Sequence, residues 1–263
     1  METNRVIYNV ENHIASLVLN YPKTMNGFDE EMIMDVFKCI KMANEDSDVR
    51  VLVITGAGRA FCGGGDITAM YKSVKENTLA FTAEGIEYIA QMAVYMKKMP
   101  KPIIIGAHNA VAGAAINFAL AADFVIATKG TRFIEAFVNI GLSGDCGSAY
   151  MLSKAIGANR AAHYMLTGKP IDADDAKAMG IVYDVCEADE LAEKVNKLAV
   201  RLANGPAVSY AQIKKIIYEA NYKELESYIP VEGQAQFTCA KTEDFKEGIC
   251  AFMEKRRPNF KGE

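Results

Sequence analysis

The chain has 263 residues, 51% of them hydrophobic and 24% charged, which supports a sizeable buried core in one large domain or in one domain with a helical extension. Its formal net charge of -4 gives no basic field for nucleic acid or for an acidic membrane surface. The N-terminus lacks an apolar signal core, and the most apolar stretch, 102–127, is broken by His108, Asn109, Gly113, Asn117 and Asp123 before it reaches the roughly 20 apolar residues of a membrane span. Six scattered cysteines (Cys39, Cys62, Cys146, Cys186, Cys239, Cys250) form no Cys-x-x-Cys pair and have no His at zinc-ligand spacing. The expectation is a cytoplasmic protein with reduced thiols, no metal, and no nucleic-acid or membrane partner.

Residues 6–10 and 13–19 are apolar or alternating around Glu11-Asn12, which predicts a β-hairpin. Residues 29–43 place Met32, Ile33, Val36, Phe37 and Ile40 at helical spacing behind Asp29 as a cap. A short buried strand follows at 51–55, then a helix at 82–99 stopped by Pro100 and Pro102. The next strand is 103–105, followed by a small-residue helix at 113–121 and a strand at 124–127. The recurrence of strand and helix predicts parallel β-α-β units, and the nearly all-apolar strands predict a sheet covered on both faces. From Gly147 the pattern is helical, with helices at 172–179, 191–203, 208–220, 223–239 and 242–255 and one short strand at 181–185. No linker, repeat or low-complexity segment divides the chain. The reading is an α/β core over residues 1–204 with a C-terminal helical subdomain over residues 205–263.

Three segments carry chemistry. The first is Arg59-Ala-Phe-Cys-Gly-Gly-Gly-Asp-Ile67, just after a strand. Its three glycines leave backbone N–H groups open to a ligand oxygen, and Asp66 is placed to cap the next helix. The second is Ala107-His-Asn-Ala-Val-Ala-Gly-Ala-Ala-Ile-Asn117, where small residues let a substrate reach a helix N-terminus. Two such turns in succession suit a shared oxyanion site. The third, 133–148, sets Asp145 in a Gly/Ser-rich turn before a helix, as an acid/base or as a helix N-cap. Each segment alone also has a structural reading: a surface turn, tight helix-on-sheet packing, a cap. Glu135 is the rival carboxylate; on a strand it would share a face with Phe133 and Phe137. His108 reads as a structural hydrogen bonder, and Met92, Met96 and Met99 as core or acyl-pocket lining.

Residues 61–67, 113–123 and 141–147 resemble, in order and separation, the successive motifs of the crotonase (enoyl-CoA hydratase/isomerase) family. The tail 242–260 is similar to the family's C-terminal pattern, and Pro22-Lys-Thr-Met-Asn26 to its N-terminal nucleotide-binding segment. The resemblance implies a spiral of β-β-α turns, a trimer or dimer of trimers, and a CoA thioester substrate with no other cofactor. By motif position it implies an oxyanion hole from the amides of Gly63 and Ala114. It places Lys23 and the backbone at Asp66 and Ile67 near the CoA nucleotide, with Cys62, Gly64, Gly113 and Phe137 along the bound substrate. Phe252 and Lys255 would complete the CoA site.

The chain departs from the family's hydratases at both catalytic glutamates, whose positions hold Asn117 and Phe137. Neither side chain shuttles protons. Asp145 remains, where some family isomerases carry a Glu or Asp. Residues 140–152 also resemble the haloaryl-CoA dehalogenases, but the chain has no Trp, and its 82–99 helix has no His. The leading expectation is an enoyl-CoA double-bond isomerase using Asp145 as acid/base. The alternatives are hydration with a displaced acid/base such as Glu135, hydrolysis or decarboxylation of a CoA thioester, or non-catalytic CoA binding.

Overall fold

The computed structural model describes residues 1–263, the side chains of Ala83 and Glu84 aside. β1 (Val6–Glu11) and β2 (Ile14–Leu19) form the antiparallel hairpin, with Val6 opposite Leu19. α1 (Glu30–Glu45) starts where the Asp29 carboxylate accepts from Met32 N–H, and it buries Met32, Val36, Phe37 and Ile40 on one stripe. β3 (Val51–Gly56) then pairs in parallel with β2.

From here the chain winds as a spiral. α2 (Ile67–Lys75) and α3 (Ala83–Lys98) precede β4 (Ile103–Ala107) and β5 (Ala110–Ala112), which lead into α4 (Ala114–Ala121). β6 (Phe124–Thr128) and β7 (Arg132–Ile134) lead into a 3-10 turn, Ala136–Ile140. Each winding gives one strand to a large sheet and a second to a small one. The β3 winding reaches the small sheet only by an isolated parallel bridge, Cys62 to Val111 of β5. After α5 (Ser148–Ile156) and α6 (Ala158–Thr167) come β8 (Ile171–Asp172), α7 (Ala173–Met179) and β9 (Asp184–Cys186). The large sheet has the order β1-β2-β3-β4-β6-β9 and the small one β5-β7-β8.

Both faces of the large sheet are covered. α8 (Leu191–Ala203) lays Val195, Ala199 and Leu202 over Val51, Val53, Ile104 and Ile126. The opposite face joins the main core with Leu17, Leu52, Ile54, Ile103 and Ile105. Met92, Met96 and Met99 are buried there.

α9 (Ala207–Asn221), α10 (Leu225–Cys239) and α11 (Glu243–Met253) complete the chain. α10 packs on α3, and α11 packs on α2 and on the 3-10 turn. Ile229, Phe245 and Ile249 are therefore buried by their own chain, whereas Ile213, Ile216, Ile217 and Phe252 stay exposed. No described helix is long and apolar enough to cross a membrane.

Candidate active site

The two glycine turns meet. Gly64 has φ +89, and a Cβ there would stand 2.5 Å from the Ala112 carbonyl, so only glycine permits this approach. Gly113, φ +52, precedes α4 and gives its own N–H to the Ile134 carbonyl at 2.8 Å. Ala114 is the first residue of α4, and its N–H reaches no described acceptor, as for the orphan donors at any helix start. The Phe137 ring lies 3.8 Å from where a Cβ on Gly113 would be, so Phe137 walls the space in front of this helix end.

Gly63 departs from the expected donor role. Its N–H is given to the Met25 carbonyl at 2.8 Å, so in this structure it is engaged rather than free. The cause is the 21–26 loop, which turns through left-handed Met25 (φ 55) and Asn26 (φ 56) to face the glycine turn. Asn26 is fully buried and pins that loop: its Oδ1 accepts from Tyr21 N–H, and its Nδ2 faces the carbonyls of Ala57, Ala60 and Phe61. The next amide, Gly64 N–H, has only the weakly accepting Cys62 sulfur at 3.4 Å.

The Cys62 side chain itself offers a ligand nothing. It is fully buried, its thiol donates to the Asn26 carbonyl at 3.0 Å, and burial pushes that thiol up to about 12. The Asp66 carboxylate is used as the cap of α2, accepting from Thr68 and Ala69 N–H. Lys23, in a 3-10 turn at Pro22–Thr24, is exposed, as are Phe252 and Lys255 at the end of α11. Lys23 belongs to the 21–26 loop that faces the first glycine turn. His108 Nε2 is hydrogen-bonded to the Gly58 carbonyl at 3.0 Å.

Asp145 sits in a turn of unusual backbone, with Gly144 at φ 126, Cys146 at φ 60 and Gly147 at φ 76. A left-handed Cys is costly and marks a segment held by its surroundings. Asp145 is not the cap of α5. Glu232 of α10 is, accepting from Gly147 N–H (2.5 Å), Ser148 N–H (3.1 Å), Ala149 N–H (3.1 Å) and the Ser148 hydroxyl (2.6 Å). One turn further along α10, Gln236 Oε1 accepts from Gly144 N–H at 2.9 Å and Ser143 N–H at 3.1 Å. That fixes the amide, so its Nε2 must face Asp145 Oδ2, at 3.4 Å. Asn117 of α4, one turn beyond Ala114, gives Nδ2–H to the Asp145 carbonyl at 3.2 Å.

Asp145 as a residue is half-buried, but its Oδ1 is sealed from solvent and has no partner among the described residues. Burial raises the carboxyl from its ordinary value to about 7; the Glu232 charge raises it further, while donors from Cys146 and Gln236 oppose the shift. Glu135 is 1% exposed and is raised well above the usual carboxylate range by burial first, then by Glu232 and Asp145. It does not lie on a strand alternating with Phe137, as expected from the pattern. β7 ends at Ile134, and Glu135 caps the 3-10 turn.

Glu232 and Gln236 are the site residues that sequence reasoning missed. Their one signal is a polar pair four apart on the same helical stripe as Ile229.

The chain matches the family model described as Enoyl-CoA hydratase/isomerase over residues 9–263. It is 38% identical, over all of both chains, to a Streptococcus mutans protein named trans-2-decenoyl-acyl-carrier-protein isomerase. It is 32% identical to the Escherichia coli 1,2-epoxyphenylacetyl-CoA isomerase, covering 98% of each chain. A crystal structure of an enoyl-CoA hydratase from Mycobacterium avium subsp. paratuberculosis superposes with a TM-score of 0.86 at 30% identity, covering 97% of this chain and 98% of that one. The matches extend over the spiral, both glycine turns and the Asp145 turn together. This chain therefore belongs to the enoyl-CoA hydratase/isomerase, or crotonase, family of enzymes, which act on acyl-CoA substrates.

Proposed function

We propose that the enzyme moves a carbon–carbon double bond within an acyl thioester, with Asp145 as the single acid/base. The observation that carries the proposal is the Asp145 carboxyl: one oxygen is sealed and unpaired, the other is held by Gln236, and burial brings the group to about 7. A base near working pH is ionised often enough to accept a proton and strong enough to take one. The thioester oxygen would lie against Ala114 N–H and an amide of the 63–64 turn, which stabilise the enolate. Asp145 removes a proton from carbon next to the double bond and returns it two carbons away. No water is added and no electrons leave, so the step requires neither metal nor redox cofactor.

For Gly63 to be the second donor, its N–H must exchange the Met25 carbonyl for the enolate oxygen, a stronger acceptor because it is charged. Hydration is disfavoured because Asn117 and Phe137 stand where that reaction needs an acid and a base. CoA and acyl-carrier protein present the same pantetheine thioester, and the Streptococcus mutans relative is named for the carrier protein. The enzyme is proposed to act in the cytoplasm as a homotrimer or hexamer, whose neighbouring subunit brings Phe252 and Lys255 to the CoA site.

The test is a substrate panel of 2-enoyl and 3-enoyl thioesters on CoA and on acyl-carrier protein, with products identified by mass and by NMR in deuterated water. Expected are isomers of unchanged mass in ordinary water, with turnover lost in Asp145→Asn. Fast addition of water, or full turnover in Asp145→Asn, overturns the reading.

A further inference from the structure

Three carboxyl groups lie near enough for charge on one to act on another: Asp145 in its turn, Glu232 on α10, and Glu135 just after β7. The hydrogen-bond donors around them are very unequally shared. Glu232 receives four, three backbone N–H groups and the Ser148 hydroxyl. Asp145 receives the Gln236 amide on Oδ2, while its Oδ1 is sealed without a partner among the described residues. Glu135 receives none of good geometry: both its oxygens are sealed from solvent and unpartnered among the described residues.

The Asn117 amide lies against Glu135 and gives one of its two N–H groups to the Asp145 carbonyl at 3.2 Å; its support for an ionised Glu135 is the smallest of the influences on that carboxyl. Asn117 Oδ1 is itself buried without a partner. An isolated carboxylate in such a place is expensive, and a proton is the cheapest remedy. The same proton would supply the donor that Asn117 Oδ1 lacks.

We infer that Glu135 is the proton-bearing member of a buried carboxyl pair. As a neutral acid it donates to Asn117 Oδ1, orients that amide toward the Asp145 carbonyl, and leaves the negative charge of the pair to Asp145. Glu135 is thus a positioning residue acting through Asn117, and the division of charge decides which carboxyl is the base. The other acidic groups that act on it are Asp145, Glu232 and the Cys146 thiol, and none of these stabilises a second negative charge. This inference rests on Asp145 as the base.

The test compares wild type with Glu135→Gln, Glu135→Leu and Asp145→Asn. In infrared difference spectra near pH 8, wild type minus Glu135→Gln should show the carbonyl stretch of an un-ionised carboxyl, and wild type minus Asp145→Asn should not, because Asp145 is ionised above about 7. Gln copies a neutral hydrogen-bonding acid, so turnover should stay within about threefold and the acid limb of the pH–rate profile should not move. Leu removes the partner of Asn117, and turnover should fall at least about tenfold in a folded protein.

Three results overturn the inference: no un-ionised band, an acid limb lowered by about one pH unit or more in Glu135→Gln, which would mean that an anion had been removed, or equal turnover in the Leu and Gln variants. Full turnover of Asp145→Asn defeats the assignment of the base instead. The infrared band still reports on Glu135 in that case.

Discussion

Replacing Asp145 with Asn should damage catalysis and stabilise the fold. In the folded chain burial lifts this carboxyl from 3.8 to about 7. In the unfolded chain it titrates at its ordinary value. Between those two pH values the unfolded chain has lost a proton that the folded chain keeps, so stability from this group falls as pH rises through the window and stays low above it. The full interval, at about 1.4 kcal/mol per pH unit, sets an upper limit of about 4 kcal/mol. The residue is partly open to solvent, so about 2 kcal/mol is the working figure. Asn has nearly the same shape, keeps an oxygen for Gln236 Nε2, and never ionises. The variant should be about 2 kcal/mol more stable than wild type near pH 8 and no different near pH 4, while turnover falls by about two to four orders of magnitude. Urea unfolding followed by circular dichroism at the two pH values, with turnover measured on the same preparations, reads both effects. A variant no more stable than wild type near pH 8 would show that the carboxylate is solvated or compensated, and the desolvation argument for its basicity would fail.

Ala114→Pro should abolish turnover while circular dichroism and sedimentation stay unchanged. The first position of a helix accepts proline, and only the free N–H is lost. Glu232→Gln should shift the acid limb of the pH–rate profile below its wild-type position near 7, because a negative charge that raises Asp145 is gone; in urea it should cost about 1–3 kcal/mol, since one of the capping donors then meets an amide N–H. Truncation after Asn204 should leave insoluble or inactive protein, because it removes both Glu232 and Gln236. Sedimentation of the whole chain should give a trimer or hexamer, with the exposed Ile213, Ile216 and Ile217 at or near the contact. A fully active monomer would show that the site is complete in one chain.

The parts of the fold legible in the sequence are those with local causes. The hairpin, the Asp29 and Asp66 caps, and the helices stopped by proline or glycine follow from spacing and capping within a few residues. β5, β7 and β8 were not legible, because strands of two or three residues have no period to read. That shortness also misplaced Glu135, whose orientation follows a turn rather than strand alternation. The candidate site was half legible. Asp145, Ala114 and the glycine turns stand out by residue type. The engagement of Gly63 depends on a left-handed loop pinned by Asn26, and the shaping of the Asp145 turn depends on a helix near the far end of the chain.

The bonds from Glu232 and Gln236 to the Asp145 turn span 83 to 93 residues of sequence. Such contacts form late, because a long loop must close before they give anything back. The spiral can wind and most helices can form while the 143–149 turn still has no cap and Asp145 has no fixed direction. On a growing or refolding chain, secondary structure will therefore run ahead of chemistry. The carboxyl proposed as the base is set only when α10 docks, so activity should return after secondary structure during refolding.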